Sequence, residues 1–196
     1  MASLPPSATP AGLNALLNRH SVGPRWLVPP GPSPQELLLA TQAALRAPDH
    51  GRMIPWRAVR IEEAQRPALA DLFERFARDA GKSEEEVVIE RDRARNGPVL
   101  VAWIARIDPA VDKVPPHEQW MCAGGALSNF MTALHLMGFG AKALSGRKCQ
   151  HPALVRAFCE TGEELVAFIC IGTPTRAPTA REEDQPQAVL SSWQPR

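Results

Sequence analysis

Glu118-Gln-Trp-Met-Cys-Ala-Gly-Gly-Ala-Leu-Ser-Asn-Phe-Met-Thr-Ala-Leu-His-Leu-Met137 is the stretch on which the fold turns. It carries a carboxylate at its start and little charge after it, so it reads as one long helix with few polar groups on any face. Its centre holds Ala123, Gly124, Gly125, Ala126 and Ser128, small residues that let another backbone approach closely. Such a helix belongs in a core or a subunit interface, and Gly138 and Gly140 end it.

Working outward, Ala141–Leu144 reads as a short strand and His151–Cys159 as a short helix. Glu164–Ile171 reads as a buried strand closed by Gly172-Thr-Pro174. Upstream, Val99–Ile107 is a nearly continuous apolar run of strand length, the pattern of a central strand covered on both faces. Ser83 with Glu86 forms a capping box that opens a helix lasting to about Arg95. Arg66–Ala80 is amphipathic, with Leu69, Leu72, Phe73 and Phe76 on one face. Trp56–Ile61 alternates and is β-prone. Ser33, Pro34 and Glu36 open another helix, which runs to about Arg46 and stops before Ala47-Pro48. Gly12–Arg19 forms a short helix with Leu13, Leu16 and Leu17 on one side. Helices loosely alternating with about four strands predict an α+β or α/β sandwich around a modest sheet.

The chain has 196 residues, enough for one domain with a substantial core. Its formal charge of +1 carries no nucleic-acid footprint. No apolar run is long enough to cross a bilayer, and the N-terminus lacks the pattern of a signal peptide. Cys122, Cys149, Cys159 and Cys170 form no C-x-x-C pair, so reduced thiols and a cytoplasmic location are expected. The 20 prolines gather toward the two ends. Residues 1–10 are therefore expected to be a disordered leader, 11–175 the folded domain and 176–196 a proline-rich tail.

Chemistry is concentrated at element boundaries. The five histidines lack metal-site spacing, and the dinucleotide, P-loop and nucleophile-elbow glycine motifs are absent. Asn18-Arg19-His20-Ser21 sets a guanidinium and a hydroxyl two residues apart, which suits a phosphate. It equally suits an arginine answering a helix dipole. Arg46-Ala-Pro-Asp49-His50 sits on a loop stiffened by prolines. Asp49 and His50 read either as a catalytic pair or as a turn in which Asp49 binds backbone amides and His50 faces solvent. Ala143-Leu144-Ser145-Gly-Arg-Lys148 offers amides and cations to an anion, or is an ordinary turn. Trp103 and Trp120 read as core or interface packing, not as stacking platforms.

In chain order, Leu16-Leu-Asn-Arg-His-Ser21, Leu45-Arg-Ala-Pro-Asp-His50, Ile54-Pro-Trp56, Arg93-Ala-Arg-Asn-Gly-Pro98, Val114-Pro-Pro-His-Glu-Gln119, Gly138-Phe-Gly140, Leu144-Ser-Gly146 and Ile171-Gly-Thr-Pro174 resemble the nitroreductase family, in its YdjA-like branch. The resemblance implies an α+β nitroreductase-like sandwich, with helices around a central, mostly antiparallel sheet. It also implies an intertwined homodimer with FMN at the subunit interface. Arg19, His20 and Ser21 would border the FMN phosphate and ribityl chain. Arg46 and His50 would reach the flavin from the other subunit, and Ala143, Leu144 and Ser145 would line its opposite side. Residues 133–138 would meet the nicotinamide nucleotide. The implied activity is electron transfer from NAD(P)H to nitro compounds or similar small acceptors by a ping-pong route, with no catalytic acid or base in the protein. Two positions depart from the family habit: Leu144, often Arg, and Ile54, often Gln. They lend weight to an alternative, an FMN-binding or flavin-storage protein with little turnover.

Overall fold

The computed structural model describes residues 10–176 and 186–195, so most of the expected leader, and residues 177–185 of the expected tail, lie outside the described residues. Helix α1 spans Ala11–Leu17 and buries none of its residues. A two-residue strand β1, Leu27–Val28, follows. Helix α2, Pro34–Ala44, opens on the expected capping box, with Ser33 and Glu36 each accepting the other's backbone N–H. Strand β2 is Trp56–Ile61 and helix α3 is Arg66–Asp79. Helix α4, Glu84–Asp92, starts on the Ser83–Glu86 box, and the Glu84–Glu86 charge run forms its acidic first turn. Strand β3, Val99–Arg106, leads to helix α5, Pro116–Leu136. Strand β4, Gly140–Leu144, helix α6, Pro152–Phe158, and strand β5, Glu163–Pro174, complete the domain.

All strand pairs are antiparallel. Strand β3 lies between β2 and β5, while β4 and β1 share the other edge of β5. Successive residues of β3 point to opposite faces, which explains its unbroken apolar run. Val99, Val101 and Trp103 pack with α2 and α5 residues such as Ala40, Cys122, Ala126 and Phe130. Leu100, Ala102 and Ile104 pack with Leu69 and Phe73 of α3 and Leu154 of α6. Trp103 stacks on Trp56, with centroids 4.6 Å apart and ring planes 9° apart. The architecture is therefore a helix–sheet–helix α+β sandwich.

Two expectations need correction. There are five strands among the described residues, not about four, because Leu27 and Val28 pair with Pro174 and Thr173. Two residues near prolines offer no periodicity to read. The helix from Ser83 stops at Asp92, and Arg93–Arg95 tightens into a 3₁₀ turn. Within one chain helix α5 is covered on one face only, which fits its expected place in a core or a subunit interface. Gln119, Cys122, Ala123, Ala126, Phe130 and Leu134 are buried at helical spacing, but Met121 is 73% and Leu136 56% exposed. Of its paired glycines, Gly125 would place a Cβ 3.4 Å from Ala47, whereas Gly124 faces open space. One chain thus leaves part of the apolar surface of α5 uncovered. No helix among the described residues is long and apolar enough to cross a membrane.

Candidate functional site

Val22 donates its N–H to Ala141 on β4 at 3.1 Å, and Thr175 donates to Trp26 at 2.9 Å. These ties draw the segment after α1, the end of β4 and the exit of β5 around one cavity of about 1140 Å³. His20, Ser21, Leu144 and Ser145 line it. Arg19, half-buried, and Ala143 flank these residues but are not in the lining. The local sequence explains the mouth: Gly146 takes φ 115°, backbone that disfavours a side chain, and turns the chain from β4 into the Arg147–Gln150 turn.

The wall is strongly basic. Arg25, Lys82, Arg93, Lys142, Arg147, Lys148 and Arg176 contribute, against the carboxylates Glu90 and Asp92. Arg25 and Arg176 lie 5.0 Å and 5.4 Å from the Trp26 ring centre. A cleft lined by one sign of charge attracts the opposite sign. Residues with hydroxyls, guanidiniums and ammoniums but few acids fit a phosphorylated ligand, and the volume suits a nucleotide-sized one.

Glu90 anchors the α4 side of this cavity. It is 2% exposed, yet it is charged, because Lys82 and Arg93 donate to Oε2 at 2.8 Å and 2.7 Å and Lys148 donates to Oε1 at 2.7 Å. Burial pushes its carboxyl up, but the hydrogen bonds from Lys148 and Lys82 outweigh burial and hold it below the usual range. Burial pushes the Lys148 ammonium down despite that partner, and its Nζ sits 3.6 Å from the Phe73 ring centre. The sequence marked Lys148 as a cation of the turn after β4, but singled out neither Glu90 nor Lys82. The available signal was Glu90 itself, three residues after Val87 and so on the buried face of α4.

Arg46 and His50 lie elsewhere. Arg46 borders an apolar cavity of about 710 Å³ between α2 and α5, lined by Leu39, Ala43, Ala133, Leu136 and Met137. It also borders one of about 610 Å³ with Ala47, Asp49, Arg52 and Ile54. The structure does not bring Arg46 or His50 into the lining of the basic cavity within one chain. Asp49 and His50 do not form a catalytic pair. Asp49 Oδ1 accepts from Met53 N at 3.0 Å and Oδ2 from Ile54 N at 2.9 Å, while His50 Nδ1 meets Glu118 Oε2 of α5 at 2.8 Å. Gly51, Arg52 and Ile54 all have positive φ, at 77°, 55° and 47°, which is rare for a β-branched residue such as Ile54. Trp120, expected in core or interface packing, is 38% exposed on the uncovered side of α5 within one chain.

A model of the Nitroreductase family matches residues 16–173. The Escherichia coli K12 protein named "Putative NAD(P)H nitroreductase YdjA" is 32% identical over 163 residues, 83% of this chain and 87% of that protein. Among solved structures, a nitroreductase-like family protein from Bacillus cereus superposes with a TM-score of 0.79 at 20% identity, covering 95% of this chain and 98% of that one. A variant of NfnB from Sphigopyxis sp. strain HMH, described as an FMN- and NADPH-dependent nitroreductase, superposes with a TM-score of 0.68 at 17% identity, covering 94% and 99%. At such identities the two structures show a shared fold.

Proposed function

The chain belongs to the nitroreductase family, and from that membership we propose that it is an FMN-dependent oxidoreductase passing electrons from NAD(P)H to nitro compounds or similar small oxidised acceptors by a ping-pong route. The observation that carries this reading is the basic cavity in which His20, Ser21, Leu144 and Ser145 meet. The NAD(P)H donor named for the Escherichia coli relative and the FMN named for the Sphigopyxis enzyme support it. FMN would supply a ring that takes a hydride from the nicotinamide and later releases the electrons to the acceptor.

The protein's part is to bind, orient and tune. Ser21, in the cavity lining, and Arg19 beside it would hold the phosphate through charge-assisted hydrogen bonds, with Arg176 in the same lining. His20 would border the ribityl chain, and Ala143, Leu144 and Ser145 would line the other side of the cofactor. Arg147 and Lys148 offset the family arginine that Leu144 replaces, because both stand in the same lining. No side chain needs to act as an acid or base, since the chemistry requires no activated nucleophile.

The active form is a homodimer. The uncovered face of α5, with Trp120, Met121 and Leu136, and the exposed Leu38 and Leu39 of α2 are apolar surface that a second copy would bury. That arrangement also gives Arg46 and His50 a purpose: they sit away from their own chain's basic cavity and would serve the partner's flavin. Ala133, Leu136 and Met137, within residues 133–138, line the apolar cavity beside Arg46, where the nicotinamide nucleotide would enter.

An absorbance spectrum of the purified protein, before and after NADH or NADPH, tests the reading. A yellow protein that bleaches with donor and recovers with a nitro compound is expected. A colourless protein that ignores added FMN refutes it, and a yellow one that bleaches only over hours favours flavin storage, the reading that Leu144 and Ile54 support. Arg19→Ala should weaken FMN binding by about 1.5–3 kcal/mol, the usual value of a hydrogen bond to a charged group. Unchanged affinity by titration would remove Arg19 from the phosphate site.

A further inference from the structure

A buried carboxylate is costly unless it is paired and hydrogen-bonded, and one cation is enough to neutralise its charge. Glu90 has three. Lys82, Arg93 and Lys148 all converge on it, and among the described residues none of the three forms an ion pair with any other acid. The cluster therefore carries two net positive charges, and all four residues stand on the wall of the basic cavity. Lys148 pays the most for its place, with a side chain only 14% exposed against the ring of Phe73. Arrangements of this kind, overcompensated and partly desolvated, are more than a way to keep one glutamate buried.

We propose that Glu90 is a positioning residue that plants Lys82, Arg93 and Lys148 beside the cofactor, and that its own charge tempers their pull on the negative charge the flavin gains on reduction. The inference rests on the cavity being the flavin site, as proposed above. Each cation favours the reduced, more negative cofactor, and the carboxylate opposes them. A change in cluster charge therefore changes the affinity for reduced flavin relative to oxidised flavin, and the logarithm of that ratio sets how far the bound flavin's reduction potential lies from that of free flavin.

Two substitutions move the cluster in opposite directions. Glu90→Gln keeps the shape of the side chain and removes its charge, leaving three net positive charges. Lys148→Met keeps an unbranched stem over Phe73 and removes a cation, leaving one. Glu90→Gln is expected to favour reduced flavin by about tenfold and Lys148→Met to disfavour it by about tenfold, shifts of about 30 mV up and down for a two-electron couple. Loss of packing alone would not give shifts of opposite sign.

The experiment is a spectroscopic titration of the FMN-loaded protein and its variants against a reference dye, with FMN affinity and melting temperature measured alongside. Opposite shifts support the inference. Potentials indistinguishable from wild type, or moving together, overturn it even if the variants melt earlier. Should Glu90→Gln fail to fold, Lys148→Met and Lys82→Met carry the test, since each must lower the potential. A wild-type protein that binds no flavin overturns the functional reading and this inference together. A flavin-loaded wild type whose variants keep its potential overturns this inference alone.

Discussion

Removing the Asp49 carboxylate should release a backbone strained at Ile54. Asp49 accepts from the amides of Met53 and Ile54 at 3.0 Å and 2.9 Å. Each bond to a charged acceptor stabilises by about 1.5–3 kcal/mol when sheltered. Ile54 is 41% exposed, so water replaces part of what is lost. Halving the sum leaves about 1.5–3 kcal/mol for the two bonds. Against this stands Ile54 at φ 47°, a conformation that costs a β-branched residue about 1–2 kcal/mol. Asp49→Ala loses the bonds but lets the loop relax, so the net loss should be about 1 kcal/mol. Ile54→Gly alone removes the strain and should stabilise by up to about 1 kcal/mol. Made on top of Asp49→Ala, the same glycine has no strain to remove and adds only unfolded-chain entropy, so it should destabilise by about 0.5–1 kcal/mol. Urea unfolding of the four proteins closes the cycle, with the m-value held constant as the check on the denatured state. A coupling of about 1–2 kcal/mol is expected. Additivity within about 0.5 kcal/mol would refute the idea that Asp49 holds Ile54 in place.

Two further outcomes concern the sheet and the thiols. Arg57 on β2 grips Glu163 at the start of β5 through Nε and Nη2 at 2.8 Å and 2.5 Å, and the Glu163 side chain is 5% exposed. The Arg57 hydrogen bond holds the Glu163 carboxyl below its ordinary range. Its contribution is therefore complete at neutral pH and lost as pH falls through that lowered value. Glu163→Gln should cost about 2 kcal/mol at pH 7, with the difference from wild type closing in acid; a gap that persists at pH 2, or none at pH 7, would contradict this. Burial pushes the thiols of Cys122, Cys149 and Cys170 up to about 11. At pH 8 only about one in a thousand of each is thiolate, so a disulfide reagent should label at most Cys159 quickly in the native protein and all four in urea. Two or more fast native thiols would show that the core opens.

Much of the fold was legible because its signals are local. The Ser33 and Ser83 capping boxes act over three residues, and both open helices as read. Trp56–Ile61 is a strand over the bounds its alternation predicts, and the apolar run from Val99 is the central strand. The paired strand Leu27–Val28 was not legible, since it exists only through its partners Thr173 and Pro174. The burial of α5 was half legible. Apolar composition announces that a face wants cover, but which face the same chain covers depends on where α2 and β3 lie.

The candidate site divides in the same way. Residue type alone marked Arg19, His20, Ser21 and Leu144-Ser145 as boundary clusters, and family order tied them to a flavin. Folding decided which polar groups meet. It turned Asp49 toward the amides of Met53 and Ile54 instead of His50, and it drew Lys148 across 58 residues to Glu90. Helix starts and strand periods follow from hydrogen bonds and side-chain directions within a few residues, so the sequence by itself determined them. The basic cavity is assembled from residues between His20 and Arg176, brought together only when β5 pairs with β1, β3 and β4. Its charge balance depends on those long-range distances, and only the tertiary structure decided it.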